Sequence, residues 1–194
     1  MKNTLLFFII IFLNISCVKD YQPFLNDTTI EGAGFTAYNI PAGSHYSLQS
    51  AVKEVADSSM VFEVLFDSSA IYKTAESLNQ YDVNKLYGFI EGLDPHKNSA
   101  RIGWGFSESE LRLYAYAYKD GIRTIAEITT VKIGSIIRCA ILASANFYLF
   151  TVNENYVKLE RASFVAPIKC YQLYPYFGGD ETAPHAITIK IKTR

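Results

Sequence analysis

Apolar and polar residues alternate in short bursts along most of this chain, with a period of two rather than 3.6. The bursts occupy residues 34–40, 60–66, 85–89, 100–106, 111–118, 122–130, 136–143, 147–152, 157–162, 171–176 and 186–192. β-Branched and aromatic residues dominate them, and Gly, Asn, Asp and Pro collect between them, so each burst reads as a strand closed by a turn. No long window sustains helical spacing, and residues 47–57 are the best place for one short helix. Eleven such strands predict an all-β domain: a two-sheet antiparallel β-sandwich, jelly-roll or lectin-like.

The N-terminus breaks the alternation. Lys2 precedes an unbroken apolar run over residues 5–13, followed by Asn14, Ile15, Ser16 and Cys17. A positive start, a core too short to span a bilayer and a small residue before a cut form an export signal. With Cys17 directly after Ser16, the segment resembles a bacterial lipoprotein signal in which Cys17 takes the lipid, although Asn14 stands where the common pattern has Leu. The expected organisation is therefore a signal peptide at 1–16, a lipidated tether at 17–32 and the sandwich at 33–194. The expected place is the outer membrane or cell surface, held by the lipid anchor, with a periplasm-facing placement as the alternative.

Composition adds exclusions. With 49% hydrophobic and 19% charged residues and a formal net charge of −1, the chain has no electrostatic call on nucleic acid. Export leaves Cys139 and Cys170 either as a candidate disulfide pair or as two buried thiols, and no C-x-x-C spacing suggests zinc. No cofactor is implied.

Residues 100–130 fold on paper. Asp120-Gly121 is a hairpin dipeptide, so Tyr118 should face Arg123, Tyr116 face Ile125 and Tyr114 face Glu127. The loop at 107–110 should likewise set Phe106 opposite Leu111, Gly103 opposite Tyr114 and Arg101 opposite Tyr116. One face then carries Ile102, Trp104, Leu113 and Ala115, a core composition. The other collects Arg101, Arg112, Tyr114, Tyr116, Tyr118, Arg123 and Glu127, which are the candidate ligand-binding residues. Tyr and Arg on an accessible sheet face suit stacking against a sugar or meeting a protein partner. Alternatively they are cross-strand pairs that stabilise the sheet, with Tyr114 covering Gly103. The first account requires Tyr116 to be exposed and Tyr116→Ala to leave stability nearly intact.

The loop at 174–185 gathers Tyr, Pro, Phe and a Gly178-Gly179 pair before Asp180 and Glu181. It suits a calcium or hydroxyl site, or else a rigid connector whose acids cap backbone N–H groups. His45, His96 and His185 sit in no catalytic string, and no G-x-S-x-G, H-E-x-x-H or nucleotide-type glycine loop occurs. No catalytic or metal residue is assigned. Arg101, Tyr116 and His96 supply the residue types of a polysaccharide lyase without forming a motif.

The strings FDSSAIY at 66–72, NQYDVNKLYGF at 79–89, HKNSARIGW at 96–104 and YPYFGG at 174–179 carry a resemblance. Through them the chain resembles a group of exported lipoproteins of Gram-negative gut and oral bacteria, from about Gly34 onward. That group has no assigned activity, so the resemblance implies export and a single β domain and no functional residue. Glycan capture or adhesion enters by association with surface lipoproteins of such bacteria. The functional expectation is non-catalytic binding of carbohydrate or another surface ligand. A protein-interaction subunit is the alternative and a sandwich-type lyase the third. A groove favours glycan, a flat tyrosine patch a protein, and convergence of Tyr, His and Arg within hydrogen-bond reach a lyase.

Overall fold

The computed structural model describes residues 34–55, 59–164 and 168–193. The signal segment and the whole of the tether, Cys17 included, lie outside the described residues. The described residues form twelve strands: β1 (Thr36–Ile40), β2 (Glu54–Val55), β3 (Ser59–Phe66), β4 (Asn84–Glu91), β5 (Ser99–Ser107), β6 (Glu110–Lys119), β7 (Ile122–Val131), β8 (Ile136–Ala143), β9 (Phe147–Val152), β10 (Asn155–Glu160), β11 (Cys170–Leu173) and β12 (Ile187–Thr193). They form two six-stranded sheets, ordered β1-β12-β3-β8-β9-β10 and β2-β11-β4-β5-β6-β7, and every pairing is antiparallel. The domain is the all-β sandwich that the alternation predicts.

The core lies between the sheets because alternate residues of each strand must leave water there. Phe62 and Phe66 of β3, Phe150 of β9 and Ile189 of β12 meet Phe89 of β4, Trp104 of β5 and Leu113 of β6, all with no exposed surface. Trp104 is buried as its parity requires, edge-on to Tyr72 with ring centroids 5.7 Å apart. The β6–β7 hairpin closes through Asp120 and Gly121 at φ 50° and 85°, the two positive values its turn demands.

Two expectations are corrected. Residues 47–55 form no helix: 47–53 are irregular, with a bend at Leu48, and 54–55 are β2, while 56 and 57 lie outside the described residues. Three of their backbone groups are bonded to distant neighbours instead, Ser47 N to Pro175 O, Leu48 N to Asn39 O and Lys53 O to Gln172 N. The helical turns occur at Ser68–Ala70 and Ser77–Tyr81 as short 3-10 segments, the first capped by Asp67 accepting from Ser69 N at 2.8 Å. Cys139 and Cys170 are not bonded to each other: they lie buried on different sheets, and burial pushes the Cys139 thiol up.

Candidate functional site

The outer face of the second sheet carries a groove. The predicted pairs are all present: Arg101 opposite Tyr116, Gly103 opposite Tyr114, Tyr116 opposite Ile125 and Tyr118 opposite Arg123. Arg101, Tyr116, Tyr118 and Arg123 therefore share one side, where they line a groove of about 910 Å³. Its walls come from residues 46–52, from Leu93, Pro95 and His96, and from the 174–180 loop.

Exposure differs from expectation. Tyr116 is 2% exposed and Arg101 7%, so neither stands on an open face. Parity fixes the side a residue points to and says nothing about what covers it. Here Lys85 Nζ lies 5.3 Å from the Tyr116 ring centroid and 5.3 Å from that of Tyr176, which places a cation and a loop over the sheet. Tyr116→Ala must then cost stability as well as any binding, about 3 kcal/mol for a buried aromatic ring.

The other candidates lie on the same sheet face outside the groove lining. Arg112 is bound by Glu108 at 2.7 Å, Glu110 at 3.2 Å and Glu127 at 3.1 Å, so its charge is consumed locally. Tyr114 covers glycines, its Cβ 3.4 Å from where a Cβ on Gly103 would sit and its ring 3.7 Å from the same point on Gly105. For Arg112, Tyr114 and Glu127 the stabilising account describes what is seen.

Lys85 is the residue that alternation misses. Starting from Trp104, which points inward, Lys85 opposite Gly103 faces the groove, but the next pair is Tyr87 opposite Ile102. Leu86 is an extra, bulged residue, and it and Tyr87 are both buried inward at 0% and 1% exposure. The bulge keeps Lys85 and Gly88 on the groove side although they are three apart in sequence. At Gly88 a Cβ would come within 2.1 Å of the Ala100 carbonyl oxygen and 2.9 Å of Arg101 Cγ, so only glycine leaves room for the Arg101 stem.

The 174–180 loop divides its aromatics. Phe177 points inward, edge-on to Tyr72 at 4.9 Å. Tyr176 points toward the groove, stacked on His45 at 5.2 Å and edge-on to Tyr46 at 5.0 Å. Gly178 and Gly179 make room for Lys85 and Asp82, since a Cβ on either would meet those side chains at 2.2 and 1.9 Å. Glu181 accepts from Ala75 N, Glu76 N and Asn79 Nδ2, each at 2.8 Å, and these donors hold its carboxyl below the usual range. That is a capping acid in a connector. Among the described residues no group of three or more His, Cys, Asp or Glu is placed to hold a metal ion.

The floor is electropositive. Burial first, then the charges of Arg101 and Arg123, bring the Lys85 ammonium down to about 8, with Asp82 opposing. Arg101 Cζ sits 5.3 Å from the Tyr116 centroid, and Arg123 interacts electrostatically with Tyr116. Burial pushes the Tyr116 hydroxyl up. His96 meets Tyr118 edge-on at 5.3 Å and, among the described residues, makes no ring hydrogen bond to Tyr116 or Arg101.

No protein-family model matches the chain, and no curated protein matches it. Solved structures do. An alginate lyase, AlyC3, superposes with a TM-score of 0.59 over 82% of this chain and 74% of its own, at 10% identity. A non-specific endo-β-1,3(4)-glucanase of family GH16 gives 0.52 over 81% and 69%, at 8% identity. At such identities the likeness is one of fold, the two-sheet sandwich.

Proposed function

We propose that this domain binds carbohydrate in the groove, without catalysis, and is carried on a lipid at Cys17. The observation that carries the reading is the shape of the candidate face: a groove of about 910 Å³, within the size range of small-ligand sites, in place of a flat tyrosine patch. Tyr46, Tyr118 and Tyr176 offer flat apolar rings with hydroxyls at their edges, the combination a sugar ring requires. The two sandwiches above are named for action on alginate and on β-1,3(4)-glucan, which supports the reading by association.

The test is a glycan array probed with the purified protein, followed by titration of the best hit. Tyr176→Ala is expected to weaken that hit by about 1–3 kcal/mol, as loss of an aromatic anchor does. A silent array, with a protein partner captured on the same face, would support the second reading, which the exposed rim residues Val52 and Leu93 at 90% and 83% favour. Cys17→Ala tests the anchor separately: it should abolish palmitate labelling in cells.

A further inference from the structure

The described arginines fall into two groups. Arg112, Arg138 and Arg161 each have a carboxylate within salt-bridge distance. Arg101 and Arg123 have none among the described residues, and both line the groove. Arg101 is 7% exposed, and its Nε is sealed from solvent without a hydrogen-bond partner. A buried guanidinium is ordinarily paired, because the desolvated charge is otherwise uncompensated. The unpaired lysine of the same groove, Lys85, adds a third cation against the Tyr116 ring.

The acids nearby do not neutralise this set. Asp82 interacts with Lys85 and Arg123 without reaching salt-bridge distance, and Asp180 stands at the groove wall beside Gly179. Nothing in the sandwich requires three cations here. Arg101 faces Gly88, a position with no side chain, so no cross-strand partner is offered from β4.

We propose that the floor of the groove is an anion seat, in which Arg101, Lys85 and Arg123 around Tyr116 take the carboxylate or sulfate of an acidic sugar. The inference rests on the carbohydrate reading and narrows it to acidic glycans. A guanidinium fork matches a planar carboxylate in two parallel hydrogen bonds, while an ammonium adds a point charge with no fixed direction. Tyr116 has a positioning role: its ring supports Arg101 and Lys85, each 5.3 Å from its centroid.

The experiment compares four probes on the full chain by calorimetric titration: polyuronate oligomers (galacturonate, mannuronate and glucuronate), their methyl esters, sulfated galactan oligomers and neutral glucan oligomers. Esterification removes the charge and keeps the sugar. The acid is expected to bind at least tenfold tighter than its ester, and Arg101→Gln to erase that gap while leaving ester affinity and melting temperature near wild type. Lys85→Gln, measured alongside, should narrow the same gap even if Arg101→Gln folds poorly. Tighter binding of the sulfated oligomers would assign the seat to sulfate and uphold it. Equal binding of acid and ester would overturn the anion seat and leave the carbohydrate reading standing. Failure of every glycan would overturn both.

Discussion

Two arginines in this domain, Arg101 buried and Arg161 half-buried, lie over tyrosine rings and have opposite surroundings. Arg161 sits 5.8 Å from the Tyr148 ring centroid, donates through Nε to both Glu91 oxygens at 2.9 and 3.1 Å, and shares that carboxylate with the Tyr148 hydroxyl. Arg101 sits 5.3 Å from the Tyr116 ring centroid and has no acid within salt-bridge distance among the described residues. The first pair is closed: Glu91 has no exposed side-chain surface, and every charge there is answered from within the chain. The second is open, on the floor of a groove. The contrast separates a charge kept for architecture from one kept for something that arrives from outside.

The sharpest way to break the comparison is Glu91→Gln. It takes the buried anion from the half-buried Arg161 and from the Tyr148 hydroxyl, and the expected loss is about 3 kcal/mol in urea unfolding. If the loss were no larger than that of Arg101→Gln, the distinction between a closed and an open arginine would collapse. Gly88→Ala ranks next. Its new methyl meets the Ala100 carbonyl oxygen, so β4 and β5 must part, at about 1 to 3 kcal/mol, and Arg101 must move. Crystallography of the variant should show the displaced guanidinium; an unmoved one would detach Gly88 from the groove.

The smallest effect concerns Lys85. Folding brings its ammonium from an ordinary 10.5 down to about 8, so between those values the unfolded chain binds the extra proton and stability rises with pH. Below pH 8 the charged lysine is a full liability, set by burial and by Arg101 and Arg123 against the partial relief from Asp82. Lys85→Met should raise the melting temperature by roughly 2–4 °C near neutral pH, the shift that about 1 kcal/mol produces in a domain of this size. The advantage should shrink from pH 8 toward 10.5. A difference that ignores pH would mean the lysine is already neutral or well compensated.

The legible part of this molecule is its strand register. Asp120-Gly121 fixes the β6–β7 pairing, and from there parity places Arg101, Tyr116 and Tyr118 together and Trp104 opposite them. Parity fails at Leu86, because a bulge adds one residue that no local composition announces, and Lys85 drops out of view. Burial of Tyr116 was illegible for a different reason. It depends on the 174–180 loop, which is distant in sequence and reaches the sheet through Tyr176 bridging to Lys85. The helix expected near residue 50 fails likewise to contacts made far along the chain, at Pro175 and Gln172.

Asn84 ties these parts together. From inside the sandwich its amide nitrogen donates to the Tyr72 hydroxyl at 2.9 Å, and its oxygen accepts from Gly178 N at 2.7 Å. Asn84 is also the chain neighbour of Lys85, so the residue that anchors the 174–180 wall adjoins the cation on the floor. The consequence is thermodynamic: floor and wall are ordered when the protein folds, before any ligand comes. Association then spends little on immobilising the receptor, and most of the entropic cost of a complex falls on the ligand, which favours stiff oligomers over supple ones.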